Sequence, residues 1–586
     1  MNVVKQLGWF FKQRKKQYIF GVSMLIFVAF LALIPPKIIG LVIDGVTDNT
    51  LTSEQLTRWL IILVIAGIIM YVARYFWRVM IFGSAVYLAR TLREQLFVHF
   101  TKMSSSFYQK RRVGDLMAHA TNDINAVQQT AGMGVLTLVD SLVTGTVVIL
   151  TMGFTISWKL TIIALIPLPI MILLTSYYGR LLRDRFRYAQ EAFSDLNDKT
   201  QESISGIEVI KTFGQQKQDI DDFTNLSTKV VEKNMRVARV DALFDPTISG
   251  IFAVSYILSF VFGTRFIIDG QMTIGDLVAF STYLAALIWP MLAFGFLFNI
   301  VERGSASYTR IQQLFDVDPE IVDVPNAIDE RPVGDLHFDV KQFRYPGAEE
   351  TTLHDVSFEL KRGETLGIVG KTGSGKTTIL KLLMREFEGY DGTITYAGHS
   401  IDAYRQQRLL ESIGYVPQDH FLFSTTIRDN IAFTNPATNV EQIEQAAKLA
   451  FIHEDILRLT EGYDTLVGER GVSLSGGQKQ RVSIARALLM DPELLLLDDS
   501  LSAVDARTEE AILTNLRKTR QDKTNIITSH RLSAIQHAHQ IIVLDEGTII
   551  EKGTHEQLMD QRGHYYDMYM LQQLEQSVEQ GGGSHE

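Results

Sequence analysis

GIVGKTGSGKTTILKLL, residues 367–383, is the stretch on which the fold turns. Thr365 to Val369 reads as a buried strand, and Thr377 onward as an amphipathic helix. Between them Gly370, Gly375, Lys376 and Thr377 fit G-x-x-x-x-G-K-[ST] in the strand–loop–helix setting that motif requires. The glycines let backbone N–H groups point inward at phosphate oxygens, and Thr372, Gly373, Ser374 and Thr378 lie on the same loop and helix start. Lys376 places a point charge at the β- and γ-phosphates, while Thr377 offers a hydroxyl to Mg²⁺. The helix N-terminus adds partial positive charge.

Downstream, Leu494 to Leu497 form an apolar run that ends in Asp498 and Asp499. Such a run is a buried strand delivering a carboxylate to Mg²⁺, here Asp498.

The sequence before this half is of another kind. The chain has 586 residues, 46% hydrophobic and 21% charged, and its long apolar runs all lie before about residue 305. Six of them suit the roughly 20 residues that a membrane helix needs: 18–43, 57–82, 132–154, 158–179, 246–268 and 275–300. The first follows Lys12, Arg14, Lys15 and Lys16 but is too long for a signal peptide and has no cleavage site, so it reads as a retained span. Pro35 and Pro36 should kink it. Arg90, Arg93, Lys110, Arg111 and Arg112 crowd one connection, and 180–240 is also rich in cations, whereas Asp44 to Glu54 has none. Positive-inside bias then places the N-terminus and the nucleotide-binding half in the cytoplasm of a multi-pass cell-membrane protein. Asp140 lies deep enough in its span to line a cavity.

The absence of cysteine excludes disulfides, iron–sulfur clusters and thiolate zinc sites. A net charge of −10 without a basic stripe argues against nucleic acid as a partner. The expected architecture is an α-helical transmembrane bundle of six helices with cytoplasmic extensions over 1–305, an acidic linker over 306–334, an α/β P-loop NTPase domain over 335–575, and a tail over 576–586 whose GGGSHE reads as a linker remnant.

Between phosphate loop and carboxylate strand stands LSGGQKQRVSIARALLM, residues 474–490. With it the chain resembles a half of an ATP-binding cassette (ABC) transporter: Leu474, Ser475, Gly476, Gly477 and Gln478 match the family signature, in the family's order. The resemblance implies ATP and Mg²⁺ as cofactors and an ATPase coupled to transport. It also implies two cassettes paired head to tail, so that the signature acts in trans on a partner's ATP. Tyr345 in FRYPG matches the aromatic that stacks on adenine, Gln418 in YVPQD the glutamine that reaches Mg²⁺, and His530 in ITSHR the histidine that contacts the γ-phosphate. Gly468, Glu469, Arg470 and Gly471 resemble a loop that touches the coupling helices, which are expected near 113–121 and 211–218. Ser502, Ala503, Val504 and Asp505 resemble the loop that crosses between paired cassettes.

One departure stands out. The family places glutamate after the magnesium aspartate, as general base or water-orienting group, and this chain has Asp499. A carboxylate one methylene short is set back by about 1 Å, which can cost about 10²-fold in rate. A weakened base beside an intact signature resembles one half of the asymmetric heterodimeric multidrug exporters of the BmrCD type. That implies a homologous half-transporter as partner and amphipathic small molecules as substrates. The alternatives are a homodimeric lipid, peptide or drug exporter, and a mainly regulatory nucleotide-binding subunit.

Overall fold

The computed structural model describes residues 5–468 and 474–581, which divide into two compact units. The first comprises the described residues up to Phe100 with Val113–Val317, the second Thr101–Arg112 with those from Asp318 onward.

Apolar sequence becomes helix in the first unit because, in lipid, backbone groups find partners only within their own segment. Among the described residues five helical stretches are long and apolar enough to cross a membrane: Lys15–Thr47, Ser53–Phe100, Val113–Leu165, Gln216–Ile268 and Ile274–Phe315. The sequence predicts six, and the difference lies at 158–179. There Trp158–Leu165 runs on from the third stretch and the remainder belongs to the helix Leu168–Ser205. Ser157 leaves helical geometry, with φ −164° and ψ 121°, and its hydroxyl caps the Leu160 N–H. Pro167, which has no N–H to donate, marks the second interruption.

The expected break in the first stretch is present. Lys15–Leu31 ends, and Ile34–Thr47 restarts with Pro35 and Pro36 in its first turn, where a missing N–H costs no hydrogen bond. The 48 residues of Ser53–Phe100 make a rod of about 70 Å, more than twice the hydrocarbon thickness. Arg74 and Arg78 are exposed along it. Asp140 is half-buried and accepts the Thr144 hydroxyl at 2.9 Å.

In the second unit β1 (Leu336–Phe343), β2 (Leu353–Leu360), β4 (Asp391–Tyr396) and β5 (His399–Ser400) form an antiparallel sheet in the order β2-β1-β4-β5. The other sheet holds β3 (Thr365–Gly370), β6 (Ile413–Val416), β7 (Leu494–Asp498), β8 (Thr524–Thr528), β9 (Gln540–Asp545) and β10 (Thr548–Gly553) in the order β10-β9-β3-β8-β7-β6. Its first five strands in sequence pair in parallel, and β10 closes one edge antiparallel to β9. Every residue of β7 and β8 is buried, as a parallel strand covered on both faces requires. The phosphate loop leaves the end of β3, and Asp498 ends β7, two strands away across β8, with Asp499 just beyond it.

Three boundaries differ from expectation. A short helix, Ser105–Gln109, belongs to the nucleotide-binding unit, whereas 113–121 is the start of the long stretch Val113–Leu165. Near 211–218 the chain forms a helix Ile207–Thr212 and a turn, then starts Gln216–Asp241. The C-terminal helix His564–Gly581 continues past 575. Glu469, Arg470, Gly471 and residues 582–586 lie outside the described residues.

The acidic linker is pinned rather than loose. Glu320 accepts the Ser104 and Ser106 hydroxyls at 2.8 and 3.2 Å, with Lys110 at 3.7 Å. Arg385, only 2% exposed, donates to the Val322 carbonyl at 3.0 Å and lies 3.6 Å from Asp323.

Candidate nucleotide site

Gly373 and Gly375 take φ of +86° and +101°, a region that side-chain-bearing residues rarely adopt, which is what lets the loop wrap inward. The helix Lys376–Leu383 begins immediately after, so its free N–H groups face the hollow of the loop. Lys376 Nζ donates to the carbonyls of Gly370 and Lys371, both at 2.8 Å, and so spans the loop from within. Burial pushes its ammonium below the usual lysine range, with Asp499 and Asp498 opposing. Ser374 Oγ is buried with no hydrogen-bond partner among the described residues. A cradle of turned glycines, a buried ammonium and an orphaned hydroxyl fit a polyphosphate.

Asp498, 2% exposed, sits at the centre of a hydroxyl cluster. Its Oδ1 accepts Thr377 Oγ1 at 3.0 Å and Thr528 Oγ1 at 2.8 Å, and its Oδ2 accepts the Tyr415 hydroxyl at 3.2 Å. The available donor set is entirely oxygen, which suits a hard divalent cation completed by phosphate and water. Gln418 lies on an exposed bend after β6 and makes no hydrogen bond to Asp498 among the described residues.

Asp499 is 8% exposed and has φ +44°. Its own N–H donates to the Thr528 carbonyl at 3.0 Å, its carbonyl accepts Ser502 Oγ at 2.9 Å, and its Oδ1 accepts the His530 N–H at 3.4 Å. The carboxylate is thus turned toward the backbone of the loop that carries His530.

Tyr345 ties its hydroxyl to Thr378 Oγ1 at 3.0 Å and meets Phe343 and Phe387 edge-on at 5.1 and 5.0 Å. That fixes the ring beside the phosphate-loop helix.

The signature opens the helix Gly476–Leu489. Ser475 and Gln478 cap one another, N–H to side chain at 3.0 and 3.3 Å, while Leu474 is buried and Ser475 and Gly476 are exposed. From the same helix, the buried Gln480 accepts the Ala503 N–H at 3.2 Å. The side chain of Asp505 caps Ala506–Thr519 through the Thr508 N–H at 3.0 Å. Arg531 reaches the Val504 carbonyl at 3.0 Å. One connected network therefore runs from the signature helix through residues 503–505 to the loop after β8.

Sequence reasoning finds the phosphate loop, Asp498, Asp499 and the signature, and the structure places the loop and both aspartates together. It misses Tyr415 and Thr528, which lie 83 and 30 residues from the carboxylate they hold. Neither carries a local motif.

Comparison with known proteins agrees with this geometry. Residues 18–291 match the ABC transporter transmembrane region, and residues 353–502 match the ABC transporter family. The chain is 44% identical over 583 residues to the probable multidrug resistance ABC transporter ATP-binding/permease protein YheI of Bacillus subtilis, covering all of both chains. It is 45% identical over 579 residues to the multidrug resistance-like ATP-binding protein MdlA of Escherichia coli, covering 99% of this chain and 98% of that one. Among solved structures, a bacterial Atm1-family ABC exporter with ATP bound superposes with a TM-score of 0.79 at 26% identity, covering 95% of this chain and 99% of the other. With a phosphate loop, a paired-aspartate strand and a signature helix behind a helical membrane unit, the chain belongs to the ABC transporter family, as an exporter-type half-transporter whose ATPase is coupled to transport.

Proposed function

We propose that this chain is one subunit of an asymmetric heterodimer that expels amphipathic drugs or other hydrophobic compounds across the cell membrane. Its own ATP site is slow, and its signature completes a competent site on the partner. The observation that carries this reading is Asp499 in place of glutamate, with its short carboxylate engaged by the His530 N–H, beside a signature helix whose cap is intact. The likeness to two relatives named for multidrug resistance supports drug export.

The mechanism follows from the chain's own residues. Tyr345 holds the base end, and the loop from Gly370 to Thr378 holds the phosphates. Thr377, Asp498 and Gln418 would hold Mg²⁺, whose charge would offset that of the phosphates. Ser475 and the N–H groups of the signature helix meet a partner's γ-phosphate, so one chain cannot complete a site. ATP-driven closure of the paired cassettes turns the membrane cavity from cytoplasm to exterior, by no more than its differential affinity for the two states. Six crossings fit this cycle, the fourth formed by Trp158–Leu165 with the start of Leu168–Ser205, and the non-helical Ser157 supports a reversal there. The N-terminus and the cassette are cytoplasmic by the distribution of cations.

The test is the intact mass of the complex purified from its native host through a tag on this chain. A second chain of different mass is expected, and its sequence identifies the competent carboxylate. Twice the mass of this chain would overturn the asymmetric reading and make Asp499 a working base.

A further inference from the structure

The C-terminal helix His564–Gly581 is anchored at its start. Tyr565 is fully buried, its hydroxyl lies 2.8 Å from His555 Nδ1, and its N–H donates to Glu551 at 2.9 Å. Met568 and Tyr569 pack on the core one turn later. At helical spacing the next residue on that face is Gln572, and its whole amide is spent on one loop. Nε2 donates to the His530 carbonyl at 2.6 Å, and Oε1 accepts the Leu532 N–H at 2.9 Å. The His530 N–H is meanwhile held by Asp499, and Arg531 by Val504 and Glu509. The short stretch 530–532 is thus clamped from the site on one side and from the C-terminal helix on the other.

We propose that Gln572 is a positioning residue that holds the backbone of this loop so that the His530 ring meets the γ-phosphate, which makes the C-terminal helix part of the nucleotide sensor. This rests on the contact between His530 and the γ-phosphate in the function proposed above. One hydrogen bond to each of the two successive peptides that flank Arg531 fixes both the position and the tilt of this stretch. Losing them frees the ring to move by the ångström or so that matters for a charged contact.

The test uses the assembled full-length transporter and two photoaffinity probes, 8-azido-AMP-PNP and 8-azido-ADP, with labelling read on this chain alone after gel separation. The non-hydrolysable probe makes the result independent of whether Asp499 is a competent base. Gln572→Ala should weaken labelling by the triphosphate analogue about tenfold, the worth of a lost hydrogen bond to a charged group, and leave labelling by the diphosphate unchanged. Gln572→Glu, which keeps the acceptor for Leu532 and loses the donor to His530, should fall between. Gln573→Ala, whose amide donates to the Tyr569 hydroxyl and not to the 530–532 loop among the described residues, should match the parent. Equal loss of both probes in Gln572→Ala would mean general damage and overturn the proposal, as would no loss of either. If His530→Ala also leaves the triphosphate analogue unweakened, the γ-phosphate reading falls with it. A loss in His530→Ala without one in Gln572→Ala overturns the positioning role alone.

Discussion

The Tyr415 hydroxyl lies 3.2 Å from Asp498 Oδ2, so the carboxylate that Thr377 and Thr528 hold by one oxygen is held by its other oxygen from β6. Burial, reinforced by the Asp498 charge, pushes the Tyr415 hydroxyl well above its ordinary range, so it stays a proton donor at any physiological pH. Gln418, proposed above to hold Mg²⁺, stands two residues beyond the end of this strand.

Tyr415→Phe keeps the ring and removes only the donor. A hydrogen bond to a charged group contributes roughly 1.5 kcal/mol or more. The Mg²⁺ concentration that half-saturates ATP binding at this chain's site should therefore rise about tenfold, with thermal stability nearly unchanged. A Mg²⁺ titration of labelled-ATP binding checks this, and an unshifted midpoint would show that Thr377 and Thr528 suffice to hold Asp498.

Two ion-pair groups on the linker differ sharply in weight. Asp329 meets Arg405 and Arg408 at 2.9 and 2.8 Å, but its side chain is 48% exposed. Arg385 is 2% exposed and faces Glu388 at 2.8 Å with Asp323 and Asp402 both at 3.6 Å. Solvent screening leaves the first with little weight, whereas Arg385 is itself buried and also holds the Tyr404 and Val322 carbonyls, so its loss leaves acceptors unsatisfied at about 1–3 kcal/mol. Thermal unfolding of the full chain in detergent should separate them, with Arg385→Leu strongly destabilised and Asp329→Ala close to the parent.

The elements that were legible in the sequence are those whose chemistry is contiguous. The phosphate loop, the run into Asp498 and Asp499, and the signature each carry their meaning within about a dozen residues. The broken first span was legible too, because Pro35 and Pro36 act where they stand. Tyr415, Gln572 and the serines around 105 were not. Their partners lie 83, 42 and more than 200 residues away, and tyrosine, glutamine and serine have no signature of their own at such range. The interruption of the fourth apolar run was not legible either, because hydropathy counts apolar residues and is blind to the break at Ser157 and Pro167 that divides them between two helices.

In the membrane unit the helices Ile34–Thr47 and Ile274–Ala286 touch backbone to backbone. Asp44 accepts the Gly275 N–H and the Thr273 hydroxyl, both at 2.7 Å. A Cβ on Gly275 would land on the Gly40 carbonyl oxygen and within 2.5 Å of Asp44 Cγ, neither of which can retreat alone. Gly275→Ala should therefore destabilise by about 1–3 kcal/mol or more, as overpacking does. Gly83→Ala, in a helix with nothing within 4 Å, should be neutral or slightly stabilising. The folded fraction after heating, read by size-exclusion chromatography, checks both. Equal behaviour would mean that the two helices can separate freely.

Asp499→Glu bears on the catalytic departure itself and pits reach against backbone fit. Glutamate adds the missing methylene and carries its carboxylate about 1 Å further out from β7, a displacement worth up to about 10²-fold in rate. Against that, φ of +44° suits aspartate better than glutamate, because short polar side chains tolerate the left-handed region. The longer side chain also gives up the 3.4 Å contact with the His530 N–H. The reach governs the chemistry and the backbone only the stability, so turnover by the assembled transporter should rise at least tenfold while the melting temperature falls slightly. ATP hydrolysis by the complex, measured with the partner's catalytic carboxylate neutralised, isolates this site. A rate that does not change would mean that Asp499 already reaches the attacking water, and the slow-site reading would fail.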